Sequence, residues 1–144
     1  MQLTKHTDFA LRCLMYVGAL PAGDTVTISE VSEKFFIPRN HLMKIVNQLS
    51  KLGYVESIRG SKGGIRLGRE ASEINLAQVV TDFEARMTPV NCEKPLCLME
   101  GQCKLQRVFF EAHNAFFEVL RSYSLADLLQ GSSYIQTLIL NEGN

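Results

Sequence analysis

Cys92, Cys97 and Cys103 fall within twelve residues in the spacing C-x4-C-x5-C, on a stretch that also carries Pro89 and Pro95. Thiolates are soft donors that suit iron–sulfur clusters and zinc. A single zinc site usually draws four ligands from two C-x2-4-C pairs, and here the second pair and the fourth ligand are both missing. A loop with wider gaps can wrap a larger metal centre, so an iron–sulfur cluster is the leading reading. Zinc and a reversible Cys92–Cys97 disulfide are its competitors. A tetranuclear cluster has four corners, so three thiols leave one to be completed from elsewhere. Cys13 stands apart, beside the apolar face of an N-terminal helix, and reads as a buried structural thiol. A dithiol enzyme would want a C-x-x-C pair at a helix start and a substrate cleft. Neither is visible, and no Ser-His-Asp or paired-carboxylate pattern replaces them, so no enzymatic activity is expected.

The elements around this loop read as mainly helical. Of 144 residues, 46% are hydrophobic and 21% charged, which suits one folded domain with a helical extension and excludes a disordered chain. The polar start lacks a secretory signal and no uncharged stretch approaches a membrane span. A cytoplasmic protein with reduced thiols and no membrane partner is expected. Residues 3–20 form a first helix on the apolar positions Leu3, Ala10, Leu14 and Val17. Thr27 and Glu30 have capping-box spacing for a second, running to about Phe36. Pro38 suits the first turn of a third helix, which Gly53 ends.

That third helix buries Leu42, Ile45, Val46, Leu49 and Leu52 and turns Asn40, Lys44, Asn47 and Lys51 outward, a face with amides and cations and no acid. The period then changes to two short strands, 54–59 and 65–67, joined by Gly60-Ser61-Lys62-Gly63-Gly64 with Arg59 and Arg66 at the base. Helix, turn, helix and basic hairpin is the layout of a winged helix-turn-helix. The glycine-rich turn lacks the spacing of a nucleotide-binding loop and no helix follows it. Zero net charge conceals a division: residues 1–69 hold ten bases against five acids, and the remainder reverses the ratio. Residues 34–69 alone carry eight bases against Glu56, a net +7 that points to an anionic partner. The expected DNA contacts are Arg12, Arg39, Asn40, His41, Lys44, Asn47 and Lys51, with Arg59, Ser61, Lys62 and Arg66 of the hairpin. Asn40, Lys44 and Asn47 would lie near base edges.

A fourth helix lies within 68–86, and a long one runs from Lys104 to about Tyr123. The long helix carries the stripe Leu105, Val108, Phe109, Ala112, Phe116, Val119 and Leu120. Phe110 and Phe117 form a second ridge off that stripe, so the helix must bury two faces. A two-fold partner is the economical cover for what its own chain leaves open, with Phe109, Phe110, Phe116 and Phe117 at the interface. The alternative is that residues 124–140, with Leu125, Leu128, Leu129, Ile135, Leu138 and Ile139, fold back over the ridge. The expected organisation is a winged-helix domain over 1–86, a cysteine loop over 87–103 and a dimerisation region over 104–144.

Together, Thr7-Asp-Phe-Ala-Leu-Arg12, Ile28-Ser-Glu-Val31, the run from Pro38 to Leu49, Val55-Glu-Ser-Ile-Arg-Gly60, Gly63-Gly-Ile-Arg-Leu-Gly68 and the cysteine loop resemble the IscR and NsrR family of bacterial winged-helix iron–sulfur regulators. The likeness covers nearly the whole chain. The C-x4-C-x5-C form preceded by Val90-Asn91 looks most like the nitric-oxide-sensing NsrR branch. IscR-like members tend to have a histidine three residues after the last cysteine, where this chain has Gln106. The resemblance implies a homodimeric repressor of a palindromic operator, with a 4Fe–4S cluster (2Fe–2S as the alternative) and nitric oxide as signal. It also implies Asp8 of the other subunit as fourth ligand, against the plain account of Asp8 as an ion-pair partner of Arg12 four residues on. His6, His41 and His113 are the fallback ligands.

Overall fold

The computed structural model describes residues 2–141. Helix α1 spans Lys5–Gly18, and Thr4 caps it by accepting from the Thr7 amide. α2 (Ile28–Phe35) opens with the capping box read from the sequence: the Glu30 amide donates to the Thr27 hydroxyl, and the Glu30 carboxylate accepts from the Thr27 amide at 2.6 Å. α2 is closed by Phe36 in the left-handed region, φ 54° and ψ 37°. For a residue with a Cβ that conformation costs about 1–2 kcal/mol.

α3 (Arg39–Lys51) starts one residue later than expected, because Pro38 takes the N-cap rather than the first turn. Gly53, at φ 75°, lies just past its end, where a left-handed residue releases the chain toward the hairpin. Strands β1 (Val55–Ile58) and β2 (Gly64–Leu67) pair antiparallel with Glu56 opposite Arg66. Ile65 also exchanges two backbone hydrogen bonds with Val26, tying the wing to the segment before α2. A Cβ on Gly64 would stand 2.6 Å from the Val26 carbonyl oxygen, so that close approach admits only glycine.

A single 3₁₀ turn (Ala71–Glu73) leads to α4 (Leu76–Phe83), whose start Asn75 caps through Ala77 and Gln78. After the cysteine loop come α5 (Lys104–Arg121), α6 (Leu125–Leu129) and α7 (Ser133–Leu140). The main core joins Ala10, Cys13 and Leu14 of α1, Val31 of α2, and Leu42, Ile45 and Leu49 of α3. Val55, Ile65, Ile74, Val79 and Leu125 complete it. A smaller cluster of Ala77, Val80 and Phe117 seats α5 on α4.

α5 corrects one expectation. Phe117, placed on the ridge that needed an outside partner, is 6% exposed and packs on α4, with Phe116 part-buried beside it. Residues 124–140 do fold back, but α6 goes to α1, where Leu125 joins the core and Leu129 packs against it. What remains open is the stripe Leu105, Val108, Phe109 and Val119, together with Phe110. Periodicity separates two faces of a helix; the volume left between α4 and α5 decides which is covered. The side chain of Ile139, and residues 142–144, lie outside the described residues.

Candidate nucleic-acid interface and thiol site

α3 presents its outward face as its period demands. Asn40, Lys44, Asn47 and Lys51 are exposed, and among the described residues none of the four makes a side-chain hydrogen bond within the chain. Arg39, in the first turn, is turned back: its Nε donates to Ser29 Oγ at 3.0 Å and its Nη1 lies 3.2 Å from Met43 Sδ. On the wing, Arg59, Ser61 and Lys62 are exposed. Arg66 is held by the Glu56 carboxylate directly across the strands, at 2.5 Å. Among the described residues, the cations of α3 and the wing with no carboxylate partner are therefore Arg39, Lys44 and Lys51 on the helix and Arg59 and Lys62 on the wing, Arg39 being tethered by neutral groups only.

His41 does not share that face. Half-buried, it stacks on His6 of α1 and meets Phe9 edge-on, with its Nε2 3.4 Å from His6 Nδ1. It lies one position beyond Asn40, about 100° around the helix, and so falls toward α1. The His6 ring goes on to bond Gln48 Oε1 at 2.9 Å, and Gln48 Nε2 donates to the Asp82 carbonyl at 2.9 Å. The Asp82 carboxylate accepts from Tyr54 at 2.5 Å and from Gln78 at 2.9 Å. Burial, and then the Asp82 carboxylate, raise the Tyr54 phenol well above its usual range. Two residues further on, Glu84 accepts from the Thr7 hydroxyl at 2.6 Å and from the Thr4 amide at 2.7 Å. Burial alone would raise the Glu84 carboxyl. The bonds from Thr7 and Thr4, aided by His6, outweigh it and hold the group below the usual carboxylate range. The end of α4 thus grips α1, α3 and Tyr54, just before β1, immediately before the chain enters the cysteine loop.

In that loop Cys92, Cys97 and Cys103 are all partly exposed, whereas Cys13 is fully buried. The Cys97 amide donates to the Cys92 carbonyl at 2.9 Å, closing a turn between the first two cysteines. Desolvation, followed by the charges of Cys97, Glu100 and Cys103, holds the Cys92 thiol above its ordinary range. Burial pushes Cys13 up to about 12, which makes it inert at neutral pH. As three accessible soft donors on one loop, Cys92, Cys97 and Cys103 fit a thiolate-bound metal centre. Among the described residues no group of three His, Cys, Asp or Glu converges tightly enough to hold a metal ion. Asp8 is engaged elsewhere in this chain: its carboxylate pairs with Arg12 at 2.8 Å, both side chains being nearly half exposed. His113, a fallback ligand, packs on Phe117 and its Nε2 is buried without a partner among the described residues.

A family profile described as an iron-dependent transcriptional regulator, Rrf2, matches residues 3–131. The chain belongs to the Rrf2 family. Its fold is shared by the global cysteine regulator CymR of B. subtilis, with a TM-score of 0.76 at 22% identity over 90% of this chain and 96% of that one. T. potens IscR aligns with a TM-score of 0.78 at 20% identity over 94% and 91%. Staphylococcus aureus CymR gives 0.74 at 18% identity over 88% and 97%. The chain is thus a winged-helix, DNA-binding transcriptional regulator of a family of regulators rather than enzymes.

For an Rrf2 regulator, the residues that sequence reading missed are the ones that tie elements together: His6, Gln48, Asp82 and Glu84. A signal did exist. His41 and Gln48 are seven apart on α3 with buried Ile45 between them, so two polar residues sit on the flank of an apolar stripe and need partners there. The partners are distant in sequence and could not be named from it. Among the described residues no helix is long and apolar enough to cross a membrane.

Proposed function

We propose that this Rrf2 protein is a homodimeric repressor that binds a palindromic operator through α3 and the wing. It senses nitric oxide through an iron–sulfur cluster, most simply 4Fe–4S, on Cys92, Cys97 and Cys103. The observation that carries the reading is the contrast among the thiols: three accessible ones on a single loop, one sealed in the core. The sequence likeness to the NsrR branch supports it, and the open apolar stripe of α5 supports a second copy as its cover. When bound, the cluster supplies an iron centre on which nitric oxide acts.

The chain's own residues account for the rest. Asp8 is the proposed fourth ligand, reaching the loop of the second copy, and an oxygen given to iron is lost to Arg12, which now holds both. Drawn away, Asp8 leaves the Arg12 guanidinium free for a phosphate; returned, it neutralises Arg12 as in the present structure. α1 carries Asp8 two residues from His6, and His6 is bonded to Gln48 of α3. A shift of α1 is therefore passed to the helix that reads DNA. Two such helices must stand about 34–36 Å apart to enter successive major grooves, so a small shift suffices to lose the fit.

Anaerobically purified protein should be brown, and nitric oxide should bleach it and release operator DNA together. Cys97→Ala should lose the chromophore and tight binding. A colourless variant that still binds tightly would overturn the cluster as switch, and a colourless wild type carrying zinc would overturn the cluster itself. Asp8→Ala with unchanged cluster lifetime and nitric-oxide response would return Asp8 to its ion pair.

A further inference from the structure

Phe36 is the one non-glycine residue at positive φ among the described residues, and its side chain is 92% exposed. Both features oppose stability: a bulky residue is strained in the left-handed region, and an aromatic ring left in water gains nothing from burial. The turn needs neither. Its bonds come from the backbone and from Ser32, whose hydroxyl donates to the Ile37 carbonyl at 2.6 Å while its own carbonyl accepts from the Ile37 amide at 3.0 Å. Buried Ile37 anchors the turn, and Phe35, not Phe36, contributes the aromatic contact with the core through Tyr16. Glycine would satisfy every local requirement at this position. A strained, exposed aromatic that the fold does not use points to a contact outside the fold.

Its location says which contact. Phe36 stands in the turn three residues before Arg39, where α3 begins, in a stretch of net charge +7. Exposed Met43 adds a second apolar group to that end of the helix. A phosphate would call for a cation here, and a base edge for a donor or acceptor. The apolar group that DNA displays in the major groove is the thymine 5-methyl. We infer that Phe36 is a specificity-determining residue whose ring packs on a thymine methyl at the edge of the groove occupied by α3. The inference rests on the reading that α3 enters the major groove.

The test uses the full-length protein and an operator selected by it from random DNA. Phe36→Asn keeps a residue that tolerates the left-handed region, and Phe36→Gly removes the strain outright. Both variants should keep or raise the unfolding temperature while binding the operator about three- to tenfold more weakly, with an unchanged salt slope because no phosphate contact is lost. A purely structural residue would move stability and binding together. Replacing operator thymines one at a time by deoxyuridine removes only the methyl. One such replacement should weaken the wild type by the same factor and leave Phe36→Asn unaffected. Variants that bind like the wild type, or deoxyuridine effects equal in both proteins, would overturn the assignment. Unaltered operator discrimination by both Lys44→Ala and Asn47→Ala would instead overturn the placement of α3, and the Phe36 assignment with it.

Discussion

The winged-helix body and the arm formed by the cysteine loop and α5 differ in what they leave open to solvent. In the body, apolar faces meet one another: α1, α2, α3 and the wing close on a continuous core, and the starts of α1, α2 and α4 are satisfied by Thr4, Thr27 and Asn75. In the arm, Leu96, Leu98 and Met99 of the loop and Leu105, Val108, Phe109 and Val119 of α5 are exposed. Apart from Phe36, Met43 and Leu52 around α3, the body covers its large apolar groups as one chain, whereas the arm has the surface of a part awaiting its counterpart. The same division holds for the thiols, since the body seals Cys13 and the arm offers the other three.

The sharpest way to break this comparison is to alter the two faces of α5 separately. Phe117→Ala, on the face covered by α4, should destabilise the protein by about 3–5 kcal/mol in urea unfolding. Val108→Asp, at 57% exposure, should leave single-chain folding within about 0.5 kcal/mol but shift sedimentation from dimer to monomer. If the Val108 variant unfolds, or folds and stays dimeric, the assignment of faces is wrong.

Within the body, the second contrast is between helix and wing. Lys44→Ala or Asn47→Ala should lose about 1–3 kcal/mol of discrimination between operator and random DNA. Lys62→Ala should weaken all sequences alike and lower the salt slope by about one unit. Matching behaviour in a binding titration over several salt concentrations would contradict the separate roles.

The smallest effect concerns the grip of α4 on α1. The folded-state pKa of Glu84 is depressed, so its contribution is present above the unfolded carboxyl pKa of about 4.3 and is lost as pH falls through the folded value. Glu84→Gln should therefore be less stable than wild type at neutral pH, and the gap should close in acid. A gap that persists undiminished at pH 2.5 would show that shape, not charge, makes the contact.

Legibility followed the range of the interactions. The capping box at Thr27 and Glu30, the buried stripe and outward face of α3, and the hairpin about its glycine-rich turn are set by residues a few positions apart, and period and turn chemistry reveal them, though Gly64 proves to open β2 rather than close the turn. Cys13 was recognisable for the same reason, lying beside the apolar positions of α1. The packing of His41 was not legible because one helical position decides between solvent and a neighbour, and that neighbour, His6, is thirty-five residues away. Phe117 was misplaced because two apolar faces on one helix look alike until α4 fills one of them.

Local sequence thus determined the elements, the +7 stretch that meets an anion and the loop that gathers three thiols, since charge, period and spacing are properties of the chain itself. Tertiary structure alone decided which face of α5 stays open, that Asp8 pairs with Arg12 within one chain, and that Asp82 and Glu84 clamp α1, α3 and Tyr54. It also left Phe36 unburied in the turn before α3. Those outcomes depend on which distant surfaces compete for the same volume and the same hydrogen bonds, and that competition exists only once the chain has folded.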